Sequence, residues 1–218
     1  MAKRPYYRPV NQGVGCESFN SFEFEWHPGF SLAQKQRNVE SLHQAIRQAI
    51  PQAKILEISS KSRLALGVAL SAFNLKMKVN GEPCSVESIF QASKVFQNGV
   101  GPFPEMYPQN SKEVRARVKS LSAGSFLQAF DCAGERWGLL PRTAFYDYLY
   151  LKALKENQDL GDQVLAYDTF TDIEFNPNKS LNCQAAAAAL YVSLCRNGSY
   201  DEAISTKENF LRVYERGV

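Results

Sequence analysis

No C-x-x-C pair, no H-E-x-x-H and no tight cluster of histidine and cysteine occur in this 218-residue chain. Only two histidines are present, His27 and His43, so a zinc site lacks its usual ligands and no metal or other cofactor is expected. Both imidazoles read as surface or partly buried groups. The five cysteines, Cys16, Cys84, Cys132, Cys183 and Cys195, are an odd number in a chain too long for a disulfide-stapled scaffold. Also missing are G-x-G-x-x-G, G-x-x-x-x-G-K-[ST] and G-x-S-x-G, which removes the common phosphate cradles and the hydrolase elbow. No apolar run approaches the roughly 18 residues of a membrane span. The opening stretch MAKRPYYRPVNQGVG is charged and lacks the apolar centre of a secretion signal. These absences point to a reducing cytoplasm, no membrane, and chemistry resting on carboxylates, lysines and aromatic stacking.

What remains is globular composition, with 44% hydrophobic and 22% charged residues, which excludes a disordered or low-complexity chain. A net charge of +3 permits a polyanionic substrate without demanding one. No Pro/Gly/Ser-rich linker divides the sequence, so a single domain over 16–218 is expected behind a basic segment, 1–15. In that segment Lys3, Arg4 and Arg8 are interleaved with Tyr6 and Tyr7, and Pro5 and Pro9 block a helix. It reads either as an ordered arm or as a frayed terminus.

Val39, Leu42, Ile46 and Ile50 recur at helical spacing between a capping Ser31 and Pro51. Lys54 to Ile58 reads as a short strand and Leu64 to Leu70 as a short helix. Phe73, Leu75, Met77 and Val79 alternate with polar residues, and Asn80-Gly81 turns that strand. Ser85 caps a helix predicted to run to Gln97, and Asn110 with Glu113 suggests a capping box for the next. Further helices are predicted from Thr143, over Cys183 to Cys195 and over Tyr200 to Arg216. The fold class is therefore α+β, mainly helical, with a small sheet and surrounding helices.

In the predicted helix VESIFQASKVFQ, Glu87, Gln91 and Lys94 fall within about 60° of one another. One reading is the solvated face of an amphipathic helix. The other is a mostly buried helix that turns a Glu–Gln–Lys line into a pocket. There a carboxyl could act as base or stabilise a cation, and a lysine of lowered pKa could act as nucleophile.

The stretch KVNGEPCSVESIFQASK (78–94) resembles the strand–turn–helix core of the NADAR (YbiA-like) family, and LEISS (56–60) and LSAFN (70–74) resemble its upstream segments. Trp137 and Thr171-Asp172 follow in the family's order. The resemblance covers about 55–195. GFSLAQKQ (29–36) and TAFYDYLYLKAL (143–154) are similar to a subgroup of antitoxins paired with DarT-type toxins that ADP-ribosylate DNA.

The resemblance implies a YbiA-like fold and an N-glycosidase that removes ADP-ribose from guanine in DNA, without a cofactor. It implies catalytic roles for Glu87, Lys94 and Asp172, with Lys35 of the subgroup-like segment as a second amine. Substrate contacts would come from Ser59, Ser60, Lys61, Ser71, Phe73, Asn74, Gln91, Trp137 and Phe175. The sequence departs from the family where Thr171 replaces an Asn and Phe175-Asn176 replaces Trp-Gly. The implied partners are ADP-ribosylated DNA and a DarT-type toxin. Two other readings stand beside this one: a non-catalytic module that binds ADP-ribosyl groups or the toxin, and a glycosidase of a small ribosylated metabolite.

Overall fold

Helix α1 (Leu32–Ala49) shows how the first elements are specified. The Ser31 side chain accepts from the Gln34 backbone and Gln34 answers to the Ser31 backbone, closing a capping box. The helix buries Val39, Leu42, His43 and Ile46 and gives way at Ile50, before Pro51. The computed structural model describes residues 1–10 and 16–215. Its backbone divides into two compact units, Met1–Ser71 with Gln158–Val218, and Ala72–Asn157.

The first unit is built on a four-stranded sheet of β1 (Ala2–Pro9), β2 (Cys16–Phe24), β3 (Ile55–Glu57) and β9 (Thr169–Thr171), in the order β2-β1-β9-β3. β1 runs antiparallel to both neighbours, whereas β3 and β9 are parallel. The basic segment is thus neither arm nor frayed end over residues 2–9, and residues 11–15 lie outside the described residues. Burial is what builds this stretch into the sheet. Tyr6 and Tyr7 point to opposite faces, and both are buried. Tyr6 joins Phe24, Val39, Leu42, Ile46, Ile55 and Ile173 in the core beneath α1. The other helix packed on β1 and β9 is α7 (Gln184–Arg196), whose Ala185, Ala187, Ala188 and Ala189 are fully buried and let the backbones approach closely. Pro5 stands opposite Ser21 of β2 and outside the Tyr6–Tyr7 stretch that the short β9 pairs.

Helices α2 (Ala65–Ala69) and α6 (Gln158–Val164) pack together in this unit. The predicted helix after Tyr200 is broken into α8 (Tyr200–Ala203) and α9 (Lys207–Glu215). Arg216 lies outside the described residues.

In the second unit, β4 (Lys76–Val79) and β5 (Glu82–Ser85) form a hairpin across Asn80 and Gly81, both at positive φ, 53° and 84°. Helix α3 (Val86–Ala92) follows, with Ser85 accepting from the Ser88 backbone. It ends five residues before the predicted Gln97. The Ala92 carbonyl accepts from the Phe103 backbone at 2.7 Å and the Ser93 carbonyl from Asp131 at 2.7 Å, so the chain leaves the helical ladder. Lys94–Phe96 becomes strand β6, paired with β7 (Leu127–Cys132), which in turn pairs with β8 (Glu135–Trp137). α4 (Ser111–Leu121), capped by Asn110, and α5 (Ala144–Glu156) pack against α3. The architecture is α+β with helix dominating, as the sequence indicates.

Candidate functional site

Glu87 stands in the first turn of α3, where its backbone N–H donates to the Ala72 carbonyl at 2.9 Å. One turn on, Gln91 Nε2 donates to Glu87 Oε1 at 2.9 Å, and Lys94 Nζ donates to Gln91 Oε1 at 2.6 Å. Although Lys94 lies on β6 rather than on the helix, it still completes the line. Its ammonium also sits 5.1 Å from the Phe90 ring centre. Glu87 and Gln91 are buried, so the line is not a solvated helix face. Burial pushes the Glu87 carboxyl up, against the pull of Gln91, Arg115 and Lys94. Burial brings the Lys94 amine down; Glu87 opposes this and Arg115 reinforces it. Both shifts favour the neutral forms, a carboxylic acid and a free amine.

The first unit holds a second polar group, deeper than sequence reasoning found. Glu57 is buried, and its Oε1 accepts from Ser59 Oγ at 2.7 Å and from the Ile173 backbone at 2.8 Å. Its Oε2 accepts from Thr171 Oγ1 at 2.7 Å. Since Thr171 spends its proton there, His43 Nε2, 2.8 Å away, must be the donor to Thr171. Burial, with Arg47 repulsion added, drives the His43 pKa down to about 3, so the ring is neutral. Asp172, the next residue, accepts from the Glu174 and Phe175 backbones through Oδ1 and from Gln184 through Oδ2. Burial, then the Glu57 charge, raises its pKa.

Closer to solvent in the same unit, Lys35 of α1 forms a 2.9 Å ion pair with Glu174. Its ammonium lies 5.8 Å from the Trp26 ring centre, and the Arg4 guanidinium lies 5.4 Å from it. Burial pulls the Arg4 pKa down while Asp172 and Glu174 push it up. Lys35, Asp172 and Phe175 are therefore brought together around the 171–175 turn.

The other anticipated contacts are dispersed. Ser59 is consumed by Glu57 and by the Lys61 backbone, Ser60 is exposed and Lys61 half-buried. Ser71 is fully buried, and its hydroxyl finds no hydrogen-bond partner among the described residues. Phe73 is half-buried and Asn74 exposed. Trp137 is 1% exposed, its indole N–H donates to Glu135, and its ring packs on Phe145 and Tyr148, so it belongs to the aromatic core. Phe175 is buried as well. Among the described residues no group of three or more His, Cys, Asp and Glu is arranged to hold a metal ion, and no helix is long and apolar enough to cross a membrane.

Residues 2–217 match the sequence profile of the DarT1-associated NADAR antitoxins. The chain belongs to that family. The match extends beyond the 55–195 core in which the resemblance is visible by eye and takes in β1, β2 and α1. No curated protein gives a significant match. As an antitoxin associated with a DarT1-type toxin, this family member carries Glu57 and Trp26 in ordered roles that their local sequence does not announce, buries His43, which the sequence suggests as a surface or partly buried imidazole, and builds Arg4 of the basic segment into the sheet. For His43 the available signal was its place on the apolar stripe of α1, between Leu42 and Ile46. Glu57 offered a weaker one, a lone acid ending an apolar strand.

Proposed function

We propose that the chain is an N-glycosidase that removes ADP-ribose from guanine in DNA and so reverses the modification made by its toxin partner. The observation that carries this reading is the Glu87–Gln91–Lys94 line, with Glu87 and Gln91 buried and Lys94 half-buried, in which acid and amine are both biased toward their neutral forms. A ribosyl–base bond breaks through a transition state with positive charge on the sugar. In its unprotonated form, which burial favours, the Lys94 amine attacks C1″ as the C1″–N bond to guanine breaks. The bonding pair leaves with the base, which takes its proton from Glu87. The attached amine then loses a proton to the Glu87 carboxylate, which returns it to the ring oxygen as the sugar opens to a Schiff base. Water adds at C1″, and ADP-ribose departs as Lys94 regains its amine. Gln91 holds amine and acid at a fixed spacing.

Lys35 is engaged by Glu174 and by the Trp26 ring, an arrangement that binds a cation in place, so we assign it an electrostatic role. Asp172 supports the same turn through its bonds to Glu174, Phe175 and Gln184.

The test is a single-stranded oligonucleotide carrying ADP-ribosyl-guanine, with released ADP-ribose measured chromatographically. Wild type should release it catalytically. Tight binding of the strand with no ADP-ribose released over many protein equivalents would identify a reader and sink the enzyme reading.

A further inference from the structure

Phe30 is 99% exposed, yet the loop that carries it is tied down on both sides. Fully buried Asn38 clamps His27 twice: its Oδ1 accepts from the His27 backbone N–H at 2.7 Å and its Nδ2 donates to the His27 carbonyl at 2.9 Å. The His27 ring bonds Ser41 Oγ at 3.0 Å. Gly29 adopts φ +136°, and the Gln34 side chain fills the space a Cβ would need. Ser31 and Gln34 close the capping box immediately after Phe30. A flexible loop could fold an apolar ring back onto the protein; this one holds it in solvent.

We infer that Phe30 is a stacking platform for an unpaired base of a DNA strand. The cations here, Arg4, Lys35 and the exposed Arg37, stand among Glu25 and Glu174, a mixed polar setting that suits a nucleic-acid strand better than an apolar protein surface. Trp26, four residues earlier in the same loop, has Arg4 and Lys35 against its ring. The first turn of α1, which begins at Leu32, contains no acidic residue, and Arg37 is exposed one turn further on. An exposed aromatic ring in the same loop as Trp26, whose ring gathers the cations, can bind single strands with little sequence preference, because every base offers a face and every linkage a phosphate. The inference rests on the proposed DNA substrate and adds where the strand is gripped.

The test measures binding of an unmodified, fluorescently labelled single-stranded oligonucleotide by anisotropy, a readout that needs no turnover. Phe30→Ala should weaken binding by about tenfold and Phe30→Trp should restore it. Because Phe30 touches solvent, both variants should melt at the wild-type temperature, and that is checked alongside. Binding by wild type that Phe30→Ala leaves unchanged would overturn the inference, as would no binding by wild type at all. So would a variant that keeps its DNA affinity but no longer co-purifies with the toxin, which would make Phe30 a protein contact. If instead wild type binds DNA through Phe30 but releases no ADP-ribose from the modified strand, the glycosidase reading fails and the platform stands.

Discussion

At Glu87, an amide in place of the carboxyl keeps the shape and one hydrogen-bonding oxygen but removes the titrating proton. Glu87→Gln should therefore fold normally while kcat for ADP-ribose release falls by about 10²-fold or more. A kcat near wild type would make the line a structural hydrogen-bond chain. His43 poses a different question, since its effect is on stability. In the native protein its pKa lies at about 3, whereas in the unfolded chain it takes a proton near the ordinary 6.5. Between these values the unfolded state binds the extra proton, so this contribution to stability is present above pH 6.5 and is lost as pH falls. Buried Glu57 and Asp172 work in the opposite sense, because their raised values keep native protons that unfolded carboxyls have lost. His43→Gln preserves a donor to Thr171 but cannot titrate. From pH 7 to 5 the wild type should lose about 2 kcal/mol more stability than the variant, measured by urea unfolding at each pH. Parallel losses would mean that His43 is not held neutral.

At the scale of the element, the sequence revealed what repeats within a few residues and hid what is decided by distant partners. The β4–β5 hairpin is written in the alternation up to Val79 and in Asn80-Gly81, and α1 in its stripe and cap. The end of α3 is not, because Phe103 and Asp131, which take the Ala92 and Ser93 carbonyls, lie 11 and 38 residues further along, beyond the reach of the local pattern. The local pattern through Phe96 and Gln97 is compatible with helix, and tertiary pairing with β7 overrides it. The buried Glu57 was illegible for the same reason: its partners Thr171 and Ile173 are 114 and 116 residues away. Strand β3 meets α2 at Gly67, where a Cβ would collide with the Glu57 carbonyl and the Ser62 side chain. Gly67→Ala should accordingly destabilise the protein by roughly 1–3 kcal/mol in thermal or urea unfolding. A neutral effect would show that α2 can shift away from β3 without loss.

For the whole molecule, the residues recognisable by eye are those of α3 and its flanking hairpin, because a strand, a Gly turn and a Glu-to-Lys spacing survive as a local pattern. The family match over residues 2–217 shows that the N-terminal strands belong to the same inheritance. Their charge and prolines suggested an appendage, but the two buried tyrosines make β1 part of the sheet. The central claim is chemical: the half-buried Lys94, its pKa brought down by burial, forms the covalent link to the sugar. Its most direct test is borohydride reduction during turnover of ADP-ribosyl-guanine DNA, followed by peptide mapping of the adduct. The account predicts an ADP-ribosyl adduct on Lys94, absent from Lys94→Ala. An adduct on Lys35, or turnover by wild type with no adduct on any lysine, would contradict it.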